Sequence, residues 1–386
     1  MSPEAGADPN PDTDPDPDPD VGADPDPDAG ACDRCLARAW LLGRLGGHLE
    51  LARGRIAQVL ALSDEQLIAA VAGDRAGTVR SELRCFDADR GRERLATAGV
   101  GSICRCDPRY PVSLRALENP PAALHVAGGV GRFLRLVAEQ PVAIVGARRG
   151  SAYGLEVARS LGRGLGCAGV TVISGMALGI DSAAHAGALS AGAPTIAVLP
   201  AGADRPYPAA KHALYAQIRS AGAAVSELPP GAAVWRWSFP ARNRIIAALA
   251  ALTIVVEARE RSGALLTAGI ARSLGRPVGA VPGRITSPLA SGPNSLLAAG
   301  AYVVRGTAEV LDQLFGEGVR GPPVDDKPEL APEPRAVLAA IAEGHDTAAA
   351  LERAGFSAEQ GLATLASLEL AGYVCREAGG RFSVVP

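Results

Sequence analysis

Lysine is nearly missing from this chain: of 38 basic residues among 386, only Lys211 and Lys327 are lysines, so positive surface here is arginine surface. A planar, permanently charged fork suits phosphate recognition, although a biased genome produces the same usage. Neither lysine stands in a Gly-x4-Gly-Lys-Ser/Thr loop, which excludes a P-loop nucleotidase. Histidines are few and scattered (His48, His125, His185, His212, His345). With no His-Glu-x-x-His, no Gly-x-Ser-x-Gly elbow and no Cys-His cluster, metalloprotease and serine or cysteine hydrolase chemistry is disfavoured. There is no run of 18 apolar residues and no basic leader followed by an apolar stretch, so neither a membrane span nor a secretory signal is expected, and the cytoplasm is the expected compartment. Seven cysteines form an odd, sparse set, which fits a reducing compartment better than a disulfide framework.

The formal charge of −3 conceals a segregated distribution. Residues 1–30 carry ten acids and no base, residues 101–320 carry 22 bases against 12 acids, and residues 321–386 carry 5 against 10. A basic central block between acidic ends points to an anionic partner for that block.

Residues 1–30, with Asp-Pro repeated over 8–28, read as an extended, solvated, dispensable tail. Residues 31–104 read as a small helical, SAM-like domain, with apolar residues at helical spacing over Leu36–Leu49 and a Ser63…Gln66 capping box. From residue 105 to 315, short β-rich runs (Val142–Val145, Val170–Ile173, Thr195–Leu199, Ala223–Ser226, Thr253–Val256, Val278–Val281, Tyr302–Val304) alternate with helical stretches. That alternation predicts an α/β fold, an extended Rossmann-like doubly wound parallel sheet. A Pro- and acid-rich linker (316–334) leads to three short helices and a hairpin over 335–386, the pattern of a C-terminal winged helix. Four Arg against six acids in that last unit favour a protein-facing or autoregulatory role over phosphate binding.

Several strand-to-helix turns carry polar and basic residues to one edge of the predicted sheet. Gly146-Ala-Arg148-Arg149-Gly150-Ser151 follows the first strand and opens a helix, where backbone N–H groups attract anions; it lacks the Gly-x-Gly-x-x-Gly pattern, so no dinucleotide cofactor is expected. Ser174-Gly175…Gly179-Ile180-Asp181 is a second such turn. Asp181 reads best as an N-cap or as partner to an arginine, and its i,i+4 relation to His185 as a local hydrogen bond rather than a metal pair. Trp235-Arg236-Trp237-Ser238-Phe239-Pro240-Ala241-Arg242-Asn243-Arg244 interleaves rings and guanidinium groups, as stacked unpaired bases and a phosphate chain require; Trp235 and Phe239 serve equally well as anchors of a long loop. Arg259, Arg261, Ser262, Thr267 and Arg284 lie in or beside two further turns. Cys32-x-x-Cys35 and Cys104-x-Cys106 offer four thiolates for zinc, yet Cys-x-Cys is tighter than usual ligand spacing, and ordinary reduced thiols are the preferred reading.

These blocks, with Tyr207-Pro208, Ser226-Glu227, Val256-Glu257-Ala258 and Val281-Pro282-Gly283, resemble the DprA/Smf family (DNA processing protein A). The resemblance covers about residues 105–315. It implies a non-enzymatic protein without cofactor that binds and protects incoming single-stranded DNA, forms a homodimer and loads RecA recombinase onto the strand in natural transformation and recombination. Carried over by motif, Gly146, Arg148 and Ser151 would grip a phosphate with Ser174 and Gly175 beside them, and Arg242, Asn243 and Arg244 would complete the pocket. Arg149, Trp237, Phe239, Ser262 and Thr267 complete the expected DNA-binding set. Many members place Lys where this chain has Leu178, a contact that Arg149 or Arg205 would have to replace. Two other readings remain: a nucleotide phosphoribohydrolase of the lysine-decarboxylase-like group, whose Pro-Gly-Gly-x-Gly-Thr-x-x-Glu signature is absent, and a winged helix that reads duplex DNA.

Overall fold

The computed structural model describes residues 30–318, 330–371, 373–376 and 380–384. The acidic tail over 1–29 and most of the expected linker lie outside them.

The chain begins with helices α1 (Asp33–Arg44), α2 (Gly46–Leu49), α3 (Ile56–Ala61), α4 (Asp64–Val71), α5 (Ala76–Arg84) and α6 (Ala88–Thr97). The capping box forms as expected: Ser63 Oγ accepts from the Gln66 N–H at 3.4 Å, and Gln66 Oε1 accepts from the Ser63 N–H at 3.1 Å, satisfying two donors that α4 would otherwise leave open. Leu41, Leu42, Leu45 and Leu49 pack with Leu67 and Ile68, and Trp237 from the following domain closes this core.

The sheet domain holds β1 (Gly101–Cys104), α7 (Val112–Arg115), β2 (Ala123–Ala127), α8 (Val130–Ala138), β3 (Val142–Val145), α9 (Ala152–Cys167), β4 (Val172–Ser174), α10 (Ile180–Ser190), β5 (Thr195–Val198), α11 (His212–Ala221) and β6 (Ala223–Ser226). It continues with α12 (Ser238–Leu249), β7 (Leu252–Val255), α13 (Gly263–Ser273), β8 (Val278–Ala280), α14 (Ser291–Ala298), β9 (Tyr302–Val303) and α15 (Thr307–Phe315). All nine strands form one sheet in the order β1-β2-β6-β5-β4-β3-β7-β8-β9. From β6 to β9 every pairing is parallel, with Val145 opposite Val255 and Val198 opposite Val225. The doubly wound sheet expected from the alternating pattern is therefore present, and two antiparallel strands that the pattern did not reveal extend it beyond β6. β1 starts at Gly101, a few residues ahead of the domain boundary read from the sequence.

Alternate residues of the strands feed two cores. Val142, Ile144, Leu252 and Ile254 face α9, α10 and α15. Ala143, Val145, Ile173, Ile196 and Val255 face α12 and α13. The strand order reverses between β3 and β7, because the chain winds outward from β3 to β6 and α12 then carries it back. Loops following β3 and β7 consequently diverge from a shared crevice, where such sheets bind ligands.

The last unit comprises α16 (Pro332–Ala342), α17 (Ala348–Arg353) and α18 (Ala358–Leu370), followed by the antiparallel pair β10 (Val374–Arg376) and β11 (Phe382–Val384). Val337, Ile341, Leu351, Leu365, Leu368 and Phe382 form its core, which is the winged-helix arrangement expected.

Candidate nucleic-acid interface

At the β3/β7 crevice the N-terminus of α9 is already occupied by a carboxylate. Ser151 Oγ caps the helix by accepting from the Gly154 N–H at 3.0 Å. Glu257, just past β7, accepts from the Ser151 N–H at 2.8 Å and from the Ser151 hydroxyl at 2.6 Å. Glu257 is buried, and a Cβ at position 154 would come within 2.3 Å of its Oε2. Gly154 thus makes room for this acid, which takes the seat that a helix N-terminus offers an anion.

The second turn is filled in the same way. Asp181 is buried at the start of α10. Burial raises its pKa, while the charge of Arg242 and backbone N–H groups of Ala177, Gly175 and Gly146 pull it down. Asp181 is not the N-cap that the sequence allowed, since Gly179 takes that position and Asp181 lies in the first turn of α10; the charge of Arg242 acts on it from α12. His185 does not bond to Asp181; its Nδ1 lies 2.7 Å from Thr195 Oγ1, and burial, reinforced by Arg242, lowers its pKa to about 3.

Beneath these turns lies α12. Arg242 is buried, and its Nη1 donates to the carbonyls of Gly175 and Val198, both at 2.7 Å. A Cβ at Gly175 would sit 1.7 Å from that nitrogen, so glycine is required there for the arginine to reach the strand ends. Burial brings the Arg242 pKa down to about 10, against the opposing pull of Asp181. Asn243 accepts from Arg242 Nε at 3.1 Å and donates to the Gly263 carbonyl at 3.1 Å. Arg244 departs in another direction and pairs with buried Glu227 at 2.7 Å.

The accessible cations form a rim above this layer. Arg148 is exposed and holds its guanidinium over the Phe239 ring at 4.6 Å, and Phe239 meets Tyr207 edge-on at 5.6 Å. Arg149, Arg205, Arg236, Arg259, Arg261 and Arg284 are exposed on loops after β3, β5, β6, β7 and β8, with exposed Glu260 among them. Leu178, 47% exposed, stands in the same rim.

Of the residues expected to bind DNA, Arg148 and Arg149 project outward, Phe239 is half-buried beneath Arg148, and Gly146 and Ser151 are partly accessible. Ser174 is buried, its hydroxyl donating to the Ile144 carbonyl at 2.6 Å. Thr267 is buried and bonds the Gly263 carbonyl at 3.1 Å, and Ser262 caps α13 through Leu265 N–H at 3.5 Å. Trp237 is 1% exposed and donates its indole N–H to the Gly46 carbonyl at 2.8 Å, so it clasps the helical domain. Gly175, Arg242, Asn243 and Arg244 lie in the supporting layer. Glu257 went unrecognised as the partner of Ser151. Only the β3/β7 pairing, which sets Val145 opposite Val255, could have brought them together. Cys32, Cys35, Cys104 and Cys106 converge at a separate place.

Residues 101–315 match the model of the DNA recombination-mediator protein A family, and residues 321–380 match that of the DprA winged helix domain. A Mycobacterium tuberculosis relative of the DprA type is 41% identical over 307 residues, 75% of this chain and 73% of that protein. Protein Smf of Escherichia coli is 37% identical over 283 residues, 70% of this chain and 74% of that one. Among solved structures, DNA processing protein A from Streptococcus pneumoniae superposes with a TM-score of 0.59 at 31% identity, over 72% of this chain and 96% of that one. DNA processing protein A from Helicobacter pylori, a protein described for its single-stranded DNA binding mode, gives 0.50 at 28% identity, over 56% and 95%. No helix among the described residues is long and apolar enough to cross a membrane.

Proposed function

Because the chain belongs to the DNA recombination-mediator protein A (DprA/Smf) family, we propose that it binds single-stranded DNA along the carboxyl edge of its sheet and seats a RecA-type recombinase on the strand, without turning over a substrate. The observation that carries this reading is exposed Arg148 resting on the half-buried Phe239–Tyr207 ring pair inside a rim of arginines. A guanidinium above an aromatic face gives a phosphate and a base adjacent sites, and every base offers a π-face, so recognition is tolerant of sequence.

The supporting layer limits where contact is made. Glu257 and Asp181 hold the backbone N–H groups at the ends of β3 and β4, so phosphates are left to the exposed forks of Arg148 and Arg149 and their neighbours. Arg242, Asn243 and Arg244 set the shape of the edge from below. Homodimer formation and recombinase loading rest on family membership. The acidic balance of residues 335–386 favours a protein partner or autoregulation over phosphate binding for the winged helix. Anisotropy titrations of a labelled single strand and the matching duplex test the DNA reading: a marked preference for the single strand, weakened by salt, supports it, and equal affinity for both overturns it.

A further inference from the structure

Four cysteines from two segments some seventy residues apart meet at one point. The sulfurs of Cys32, Cys35, Cys104 and Cys106 all lie within 4.8 Å of one another. Cys35 Sγ and Cys106 Sγ are 3.8 Å apart, far beyond a disulfide bond of about 2.05 Å. A tetrahedron of thiolates around zinc, with Zn–S of about 2.3 Å, has sulfur–sulfur edges of about 3.8 Å.

Packing alone does not account for this convergence. Cys35 and Cys104 are buried, but Cys32 is half-buried and Cys106 is exposed, so two of the four gain little by leaving water. The backbone is arranged around sulfur as well: the Cys32 N–H points at Cys104 Sγ at 3.4 Å, a donor that stabilises a thiolate. The Cys35 and Leu36 N–H groups both close onto the Cys32 carbonyl at 3.0 Å, so the first pair sits on the opening turn of α1. The second pair sits where β1 ends, with the Asp107 N–H closing onto the Cys104 carbonyl at 3.0 Å. Two such turns facing each other form a four-thiolate cage with no open position, the arrangement of a structural site.

We propose that these four cysteines bind one zinc ion that fastens the helical domain to the outer strand of the sheet. The ion displaces the thiol protons and leaves each sulfur as a thiolate ligand. Its position gives it a second consequence. Arg34 and Arg105, each flanked by ligands, line a cavity of about 370 Å³ together with Arg38 and Arg244. Nε and Nη1 of Arg244 are buried there without a protein partner. The metal therefore fixes two arginines in the wall between the domains.

The test is the metal content of the full chain, measured by plasma mass spectrometry after dialysis, together with cobalt titration of chelator-stripped protein. About one zinc per chain is expected, falling below about a tenth in Cys35→Ser, with cobalt giving the intense thiolate-to-metal absorption of a tetrahedral four-sulfur site. Cys106→Ser, at the exposed ligand, guards against a variant that merely fails to fold: its circular dichroism should match the parent while the cobalt spectrum loses a thiolate contribution. Stripping should also speed proteolysis within residues 31–100, and added zinc should reverse it. Protein that stays metal-free after incubation with zinc, or that carries iron in its place, overturns the proposal, as does a Cys106→Ser cobalt spectrum identical to the parent's.

Discussion

Replacing Arg148 by alanine separates the rim from the layer beneath it. Arg148 is exposed and rests on Phe239 at 4.6 Å, so its removal leaves no buried group unpaired and should leave Tm essentially unchanged. On DNA it removes one charge-assisted phosphate contact, about 1.5 kcal/mol or more, which lowers affinity on the order of tenfold. It also removes one released counterion, so the slope of log K against log salt should become shallower by about 0.7 for a single strand. Between 50 and 200 mM salt, the parent's advantage over the variant should then shrink about 2.6-fold. Arg242→Ala is the contrasting case. That guanidinium bonds two buried carbonyls and offsets Asp181; leaving them unsatisfied costs about 3 kcal/mol, and Tm should fall by roughly 10 °C. Anisotropy titrations at several salt concentrations, alongside thermal melts, measure both. An unchanged salt slope in Arg148→Ala, or an Arg242→Ala protein of parental Tm that loses DNA affinity with the shallower slope, would refute this division of roles.

Other expectations follow from the same geometry. Glu257→Ala leaves the Ser151 N–H and hydroxyl without their buried acceptor, so stability should drop by about 1–3 kcal/mol in urea unfolding. Trp237→Ala removes a ring that closes the helical-domain core and a hydrogen bond to Gly46; a loss of about 3–5 kcal/mol and faster proteolysis within residues 31–100 are expected. His125 is buried with neither ring nitrogen bonded to protein, and burial lowers its pKa from 6.5 to about 4. The unfolded chain therefore binds the proton first as pH falls: the contribution is full above pH 6.5, is lost between pH 6.5 and about 4, and amounts to about 3 kcal/mol. His125→Leu should flatten that part of the stability profile, as read from melts at stepped pH.

The readable part of the fold was the part with a strong local signal. β3, β5 and β6 are runs such as Val142–Val145, bounded by turn residues and buried on both faces; that is the pattern of a parallel strand in any context. β1 and β2 are Gly-Ser-Ile-Cys and Ala-Leu-His-Val-Ala, short segments of mixed propensity that become strands only by pairing with β6 and each other. At the site, chemistry was legible and depth was not. Arg242 and Arg244, two residues apart, point to different partners, Gly175 with Val198 and Glu227, which accounts for two arginines that one helix face cannot carry to water together. Their burial depends on where α12 returns across the sheet, and no local pattern encodes that. The same holds for Ser151: its place before a helix was visible, but its carboxylate partner comes from the turn after β7, more than a hundred residues away.

Filament assembly is the most direct test of the central claim. RecA is added to single strands coated with single-strand-binding protein, with and without this protein, and assembly is followed through RecA's ATP hydrolysis. The account predicts that the protein shortens the lag and that Arg148→Ala with Arg149→Ala abolishes the effect while leaving the fold intact. An unchanged lag in the presence of native, DNA-bound protein would contradict it.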